Sequence, residues 1–325
     1  MSYWRDRAQG FGSKVGVRGG AIGAGVGIAL AIGAVGAPHA GAGGVVTTNS
    51  GPLRYVTSTV DVPATDDGAS LAFCPTGSRV AGGGGAIAGP VDDVRLGGIF
   101  PFDFFDAGSV RDDTYLAEGY NNSTEARALR SVAVCLRNAA GGTDLGYEVG
   151  DGSMINMGSS VGTSVSVQCS SGRVLGGGIE IPGPATTQFE EQLNSTHPTD
   201  NDSNGVADNG WSGKLNVNMS TVARTPHAVA VCQPPGDYKV RHRFTPKVVY
   251  PGTTPNIKTK CPAGKGWRVT GGGIQGFFSR LRASMPFDGK DKGKAPDDGW
   301  RGSVRTSTGA DPAAMLVHAI CIKKA

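Results

Sequence analysis

Leu71-Ala-Phe-Cys74-Pro-Thr-Gly-Ser-Arg-Val80-Ala-Gly-Gly-Gly84 decides the reading of this chain, because it returns twice. The second copy is Val165-Ser-Val-Gln-Cys169-Ser-Ser-Gly-Arg-Val174-Leu-Gly-Gly-Gly178. The third is Ile257-Lys-Thr-Lys-Cys261-Pro-Ala-Gly-Lys-Gly-Trp-Arg-Val269-Thr-Gly-Gly-Gly273. Each copy closes on a second cysteine, in Ser131-Val-Ala-Val-Cys135, Ala228-Val-Ala-Val-Cys232 and Val317-His-Ala-Ile-Cys321. Self-similarity at a fixed period is the mark of a repeat architecture. Residues 53–140, 147–235 and 238–325 are therefore three copies of one module, preceded by a linker at 43–52.

The six cysteines fall one early and one late in each copy, at separations of 61, 63 and 60 residues. Of the fifteen pairings that six cysteines allow, the repeat selects Cys74–Cys135, Cys169–Cys232 and Cys261–Cys321. Disulfides belong to oxidising compartments, and the N-terminus agrees. Arg5, Arg7, Lys14 and Arg18 precede an apolar stretch from Ala21 to Val35, and Ala40-Gly41-Ala42 offers a small-x-small cleavage site. Residues 1–42 read as a signal peptide of a secreted, extracellular protein, an uncleaved signal anchor being the alternative. No later stretch is as hydrophobic, so no transmembrane segment is expected in the mature chain.

The modules read as all-β. Short β-branched runs and two-residue alternation recur, as in Leu215-Asn-Val-Asn-Met219, and turn-forming Gly, Pro, Asn and Asp clusters arrive every 8–12 residues. No amphipathic helical stretch of ten residues is present in the mature chain. A second signature lies between the cysteines: Pro101-Phe-Asp103, Pro198-Thr-Asp200 and Pro286-Phe-Asp288 lead through polar loops to Tyr115, Trp211 and Trp300. A proline-started turn, a polar excursion and an aromatic re-entering a strand account for it. Either one pseudo-threefold β-prism or three small β-sandwich modules satisfies the pattern.

The C-P-x-G-x-x-V-x-G-G-G start and A-V-C end resemble a module of uncharacterised secreted bacterial proteins, which implies no known activity. The threefold glycine-rich β repeat is also similar in style to the vitelline membrane outer layer proteins, a likeness that implies a β-prism with pseudo-threefold symmetry. The repeats of those proteins are much shorter and their cysteine framework differs.

Catalytic chemistry is hard to place. The glycine runs Gly82 to Gly85, Gly176 to Gly178 and Gly271 to Gly273 lack the Lys-Ser/Thr and following helix of a phosphate-cradling loop, and read as structural. The mature histidines, His197, His227, His242 and His318, occupy no equivalent positions in the copies, and no nucleophile or zinc motif accompanies them. Paired carboxylates recur as Asp103, Asp200 and Asp288 and as Asp112, Asp208 and Asp297, the remaining route to a glycan-acting enzyme. Their threefold recurrence argues instead for loop architecture.

Two binding features stand out. Asp200-Asn-Asp202-Ser-Asn204-Gly205-Val206-Ala-Asp208 matches nine positions of a calcium loop, with Asp200, Asp202, Asn204 and Asp208 as side-chain ligands and Val206 supplying a carbonyl. Ser212 stands where that loop needs a bidentate Glu. Charge supplies the other feature. The whole chain carries +4, but residues 238–325 hold 17 lysines and arginines against 5 acids, whereas residues 43–237 hold 10 against 21. Lys239, Arg241 and Arg243 should share one face of a strand, as should Lys258 and Lys260. Such a surface attracts an anionic envelope polymer or polysaccharide, or docks on the acidic copies; export argues against nucleic acid as a specific partner. The expectation is a non-enzymatic binding or structural protein of the cell surface, with a glycan-acting enzyme or a subunit of an extracellular assembly as alternatives.

Overall fold

The computed structural model describes residues 44–89, 93–104, 110–137, 145–156, 161–182, 191–200, 204–217, 223–236, 238–264, 266–276, 279–289, 293–306 and 311–325. The signal peptide expected at 1–42 lies outside the described residues. The first copy carries β1 (Val45–Ser50), β2 (Leu53–Val62), β3 (Asp66–Phe73), β4 (Ser78–Ile87), β5 (Val94–Phe102), β6 (Thr114–Asn121) and β7 (Arg127–Arg137). The second carries β8 (Gly146–Asp151), β9 (Val161–Gln168), β10 (Arg173–Glu180), β11 (Glu191–Thr199), β12 (Gly210–Val217) and β13 (His227–Gln233). The third carries β14 (Tyr238–Val249), β15 (Asn256–Lys260), β16 (Arg268–Gln275), β17 (Ser279–Phe287), β18 (Gly299–Thr306) and β19 (Ala313–Lys324). The chain is all-β, as its alternation and turn spacing require. The stretch 43–52, expected to be a linker, contains β1, which pairs antiparallel with β2.

Three sheets contain these strands, and each sheet belongs to two copies. Sheet 1 runs β1-β2-β7-β4-β17-β18-β15, sheet 2 runs β3-β6-β5-β10-β13-β8, and sheet 3 runs β14-β19-β16-β11-β12-β9. Each copy contributes half of one sheet and half of another, packed as two layers. The re-entering aromatic of one layer sits on the glycine strand of the other: Tyr115 on Gly83, Trp211 on Gly177 and Trp300 on Gly272. All three aromatics are about 1% exposed or less. Sandwich and threefold arrangement are thus both present. Every copy is a two-layer sandwich, and its layers continue into its neighbours to close a ring of three sheets.

The disulfides tie the two layers of each copy, Cys74–Cys135, Cys169–Cys232 and Cys261–Cys321. A closed loop of about 60 residues is worth roughly 4 kcal/mol through the unfolded state in the chain-entropy account.

The glycine triplets are explained position by position. A Cβ on the first glycine would strike another copy at the centre of the ring: Gly82 against Thr270 O at 2.5 Å, Gly176 against Gly82 Cα at 2.5 Å, and Gly271 against Leu175 O at 2.3 Å. The middle glycine lies under its own copy's aromatic. A Cβ on the third would strike a neighbouring strand of the shared sheet, where Gly84 meets Ser284 O, Gly178 meets Ile99 O and Gly273 meets Thr196 O. Immediately before each triplet the register shifts, between Val80 and Gly82, Val174 and Gly176, and Val269 and Gly271. These bulges turn the strand into the centre of the ring.

Candidate functional site

Sheet sharing creates three seams, one in each sheet, where a glycine strand of one copy meets the Pro-containing strand of another. The seams join β4 to β17, β10 to β5, and β16 to β11. They are pseudo-equivalent in backbone and different in chemistry. The residue two after the third glycine is Ala86 in sheet 1, Glu180 in sheet 2 and Gln275 in sheet 3. The strand beyond presents Ser303, Glu118 and Lys214 at matching register.

The sheet 2 seam is acidic. Glu180 is 8% exposed and makes an ion pair with the buried Arg111, Nη1 to Oε2 at 2.6 Å. Glu118, on β6, is raised to about 8 by desolvation and by the nearby Glu180 and Asp67, with Arg224 opposing. One carboxyl is held neutral near neutrality while its neighbour stays paired with a guanidinium. The sequence reading missed this pair, because Glu118 and Glu180 are 62 residues apart in sequence and only the pairing of β5 with β10 brings them together.

The sheet 3 seam collects the buried histidines. His197 and His318 stack with centroids 5.9 Å apart, and Phe244 lies 6.1 Å from His318. His242 sits on the same face, opposite Ile320, as Phe244 sits opposite His318. Burial lowers His197 to about 3, with His318 and Lys214 adding to it, and lowers His318 to about 4. His242 is lowered to about 3, by burial first and then by Arg173 and His318. Among the described residues no group of three or more His, Cys, Asp or Glu is arranged to hold a metal ion.

The acids that recur in sequence serve the loops. Asp112 pairs with Arg79 at 3.2 Å, Asp208 with Arg173 at 3.4 Å and Asp297 with Arg268 at 3.5 Å. Their carbonyls accept from Val80, Val174 and Val269, and their amides donate to Val110, Val206 and Ala295. The bracket is identical in all three copies. Two members of the calcium loop, Asp208 and the Val206 carbonyl, therefore do in copy 2 what their counterparts do where no calcium signature exists. Asp200 accepts hydrogen bonds from the Asn204 amide at 3.2 Å and the Gly205 amide at 2.6 Å, and Asn204 Oδ1 accepts from Val206 N at 2.8 Å. Asp202 lies outside the described residues.

The basic residues singled out from sequence are on the surface. β14 is an edge strand of sheet 3 and β15 an edge strand of sheet 1. Lys239, Arg241 and Arg243 are exposed, alternate along β14 and share one face; Lys258 and Lys260 do the same on β15. The Arg241 guanidinium lies 5.2 Å from the Trp267 ring centroid, and Lys258 Nζ lies 4.9 Å from that of Phe287. Phe244 points to the opposite face of β14, where it is 62% exposed. None of these five cations forms an ion pair with a carboxylate among the described residues.

No protein-family model matches the chain, and no curated protein matches it. The three disulfides suit an oxidising, extracellular environment. Among the described residues no helix is long and apolar enough to cross a membrane.

Proposed function

We propose that this is an exported, non-catalytic protein that binds an anionic extracellular or envelope polymer, such as an acidic polysaccharide, through the edge of its third copy. The observation that supports the reading is the cationic face of β14. Lys239, Arg241 and Arg243 stand in a row at a free sheet edge, without described carboxylate partners and beside Trp267. A row of cations at strand spacing offers a charge about every 7 Å, suited to a repeating anionic chain. The alternative use of these cations, docking on the acidic copies, finds no ion pair among the described residues. The copies are joined by main-chain pairing at β4–β17 and β16–β11.

The test uses the full mature chain on a heparin column and on a soluble acidic polysaccharide. Combined Lys239→Gln, Arg241→Gln and Arg243→Gln should elute at clearly lower salt than the parent, with an unchanged melting temperature. Equal elution of parent and variant would remove the reading. Release of products from a polysaccharide panel would replace it with the glycan-acting enzyme, for which Glu118 and Glu180 are the residues to change. Defined oligomers in light scattering would favour a subunit of an extracellular assembly.

A further inference from the structure

The sheet 1 seam, where copy 1 meets copy 3, holds a cleft of about 260 Å³. Its floor follows from the register. Arg130 lies opposite Ala86, Ala86 opposite Ala283, Ala283 opposite Ser303, and Ser303 opposite Asn256, one row across five strands. Cross-strand partners share a face, so two alanines leave a hollow between Arg130 on one side and Ser303 and Asn256 on the other. Arg282 enters from the bulge between Leu281 and Ala283. Arg301, two residues before Ser303 on β18, completes the wall.

Three guanidinium groups therefore line one hollow, and among the described residues no carboxylate lines it. Two of them are held in place by one terminal nitrogen. Arg282 Nη2 donates to the Gly89 carbonyl, and Arg301 Nη2 lies 3.1 Å from Met285 Sδ. The Nε atoms of both are buried and have no hydrogen-bond partner among the described residues. Both guanidinium groups are half-buried, and a charged donor left unsatisfied carries a cost. The fold itself does not call for these residues. At the position of Arg130 the other seams carry His227 and Leu316, and at the position of Arg301 they carry Leu116 and Ser212. The arginines are thus a property of this seam and not of the repeat.

We propose that this cleft is an oxoanion site, in which Arg130, Arg282 and Arg301 together take up a phosphate or sulfate group, with Ser303 and Asn256 as further donors. Planar guanidinium groups match tetrahedral oxoanions through paired N–H donors. A volume of about 260 Å³ holds such a group with several waters, each of which takes roughly 30 Å³. Repulsion between Arg130 and Arg301 is present without the anion and falls when it binds, since burial and then Arg130 lower Arg301; Arg282 is lowered by burial and by Arg305, outside the cleft. The site is separate from the β14 face and does not depend on it.

The probes are inorganic phosphate, inorganic sulfate and a soluble phosphodiester polymer, read by thermal shift and titration calorimetry on the full mature chain against chloride at matched ionic strength. Phosphate or sulfate should raise the melting temperature of the parent. Arg282→Gln with Arg301→Gln should abolish that shift, while the β14 triple variant should keep it. Should the double variant fail to fold, Arg130→Gln, at the exposed rim, must still weaken the anion by at least about tenfold. Tighter binding of the polymer through the same arginines would identify a polymer-borne group, and binding of the inorganic ions alone would identify a free anion. A parent that responds to phosphate and sulfate no more than to chloride, or a variant that responds like the parent, overturns the proposal.

Discussion

Gly82 of copy 1 and Gly176 of copy 2 meet at the centre of the ring so closely that a Cβ on Gly176 would stand 2.5 Å from the Gly82 Cα. Gly271 closes the set, its own Cβ position lying 2.8 Å from the Gly176 Cα. Nothing flexible can yield here, because the obstructing atoms are backbone. Gly176→Ala should destabilise the protein by at least about 3 kcal/mol, the upper end of overpacking costs, or prevent folding. Gly146 lies in β8, where a Cβ would meet its nearest neighbour at an ordinary 3.7 Å, so Gly146→Ala should stay within about 0.5 kcal/mol of the parent. Denaturant unfolding of the two variants checks the contrast. Equal stabilities would mean that the centre of the ring is looser than these distances require.

The three copies, their cystine pairing and their β character were legible in the chain, because repetition at constant spacing constrains all three at once. What the sequence left open was partner choice. Alternation along β5 or β17 says which residues share a face, but not which strand lies alongside. For that reason Glu118 and Glu180, or Arg130 and Ser303, carry no sequence signal of proximity. The β1 strand was hidden by its polar Thr47-Thr48-Asn49-Ser50 end, which reads as a linker until Asn49 is seen accepting from Arg137 at 2.9 Å. Phe244 stands among the β14 cations in sequence, yet period-two geometry places it on the other face of that strand, beside His318.

Glu118 makes the acidic seam pH-sensitive in a definite direction. Its carboxyl is raised to about 8 in the folded protein, above the ordinary value of about 4.3 in an unfolded chain. Between these values the folded state binds more protons than the unfolded one, so this group weakens the fold as pH rises from about 4.5 to about 8. Glu118→Gln should therefore be close to neutral in effect at pH 5 and stabilising at pH 9. Melting curves of parent and variant across that range measure it. A difference that does not grow with pH would show that Glu118 is ionised in the fold.

Asp208 separates the calcium reading of the 200–208 loop from a structural one. Its pairing with Arg173 repeats those of Asp112 with Arg79 and Asp297 with Arg268. If the bracket is its whole role, Asp208→Asn and Asp112→Asn should each cost about 1–2 kcal/mol, with or without millimolar calcium. A calcium site would instead raise the parent melting temperature on adding calcium, and Asp202→Asn would cancel that rise. Calorimetric titration of the parent gives the direct measurement, and heat uptake with a calcium-dependent Asp208 effect would establish the metal.

The histidine seam gives the sharpest contrast between the copies, since the fold supplies its own reference residues. His318 occupies the place held by Val132 and Val229, opposite the third glycine of each triplet. His197 occupies that of Phe100 and Met285, against the same glycine. His242 stands where Tyr55 and Tyr147 stand, and each tyrosine hydroxyl donates across a seam, to Val269 O and to Val80 O, both at 2.7 Å. The charges acting on the three imidazoles are Arg173, Lys214 and one another, and all oppose protonation. With folded values of about 3 to 4 against 6.5 unfolded, the unfolded chain binds more protons throughout that interval, so stability falls as pH drops from about 6.5. Each histidine costs up to about 1.4 kcal/mol per pH unit within the interval. The variant His197→Phe, His242→Tyr, His318→Val imports the side chains of the other seams. It should match or exceed the parent at pH 7.5 and lose much less stability on acidification to pH 4.5. Carboxylates elsewhere affect parent and variant alike, so the difference between their pH profiles isolates the seam. Parallel profiles would mean that the imidazoles are solvated in the folded protein and that this seam opens without crossing a titration.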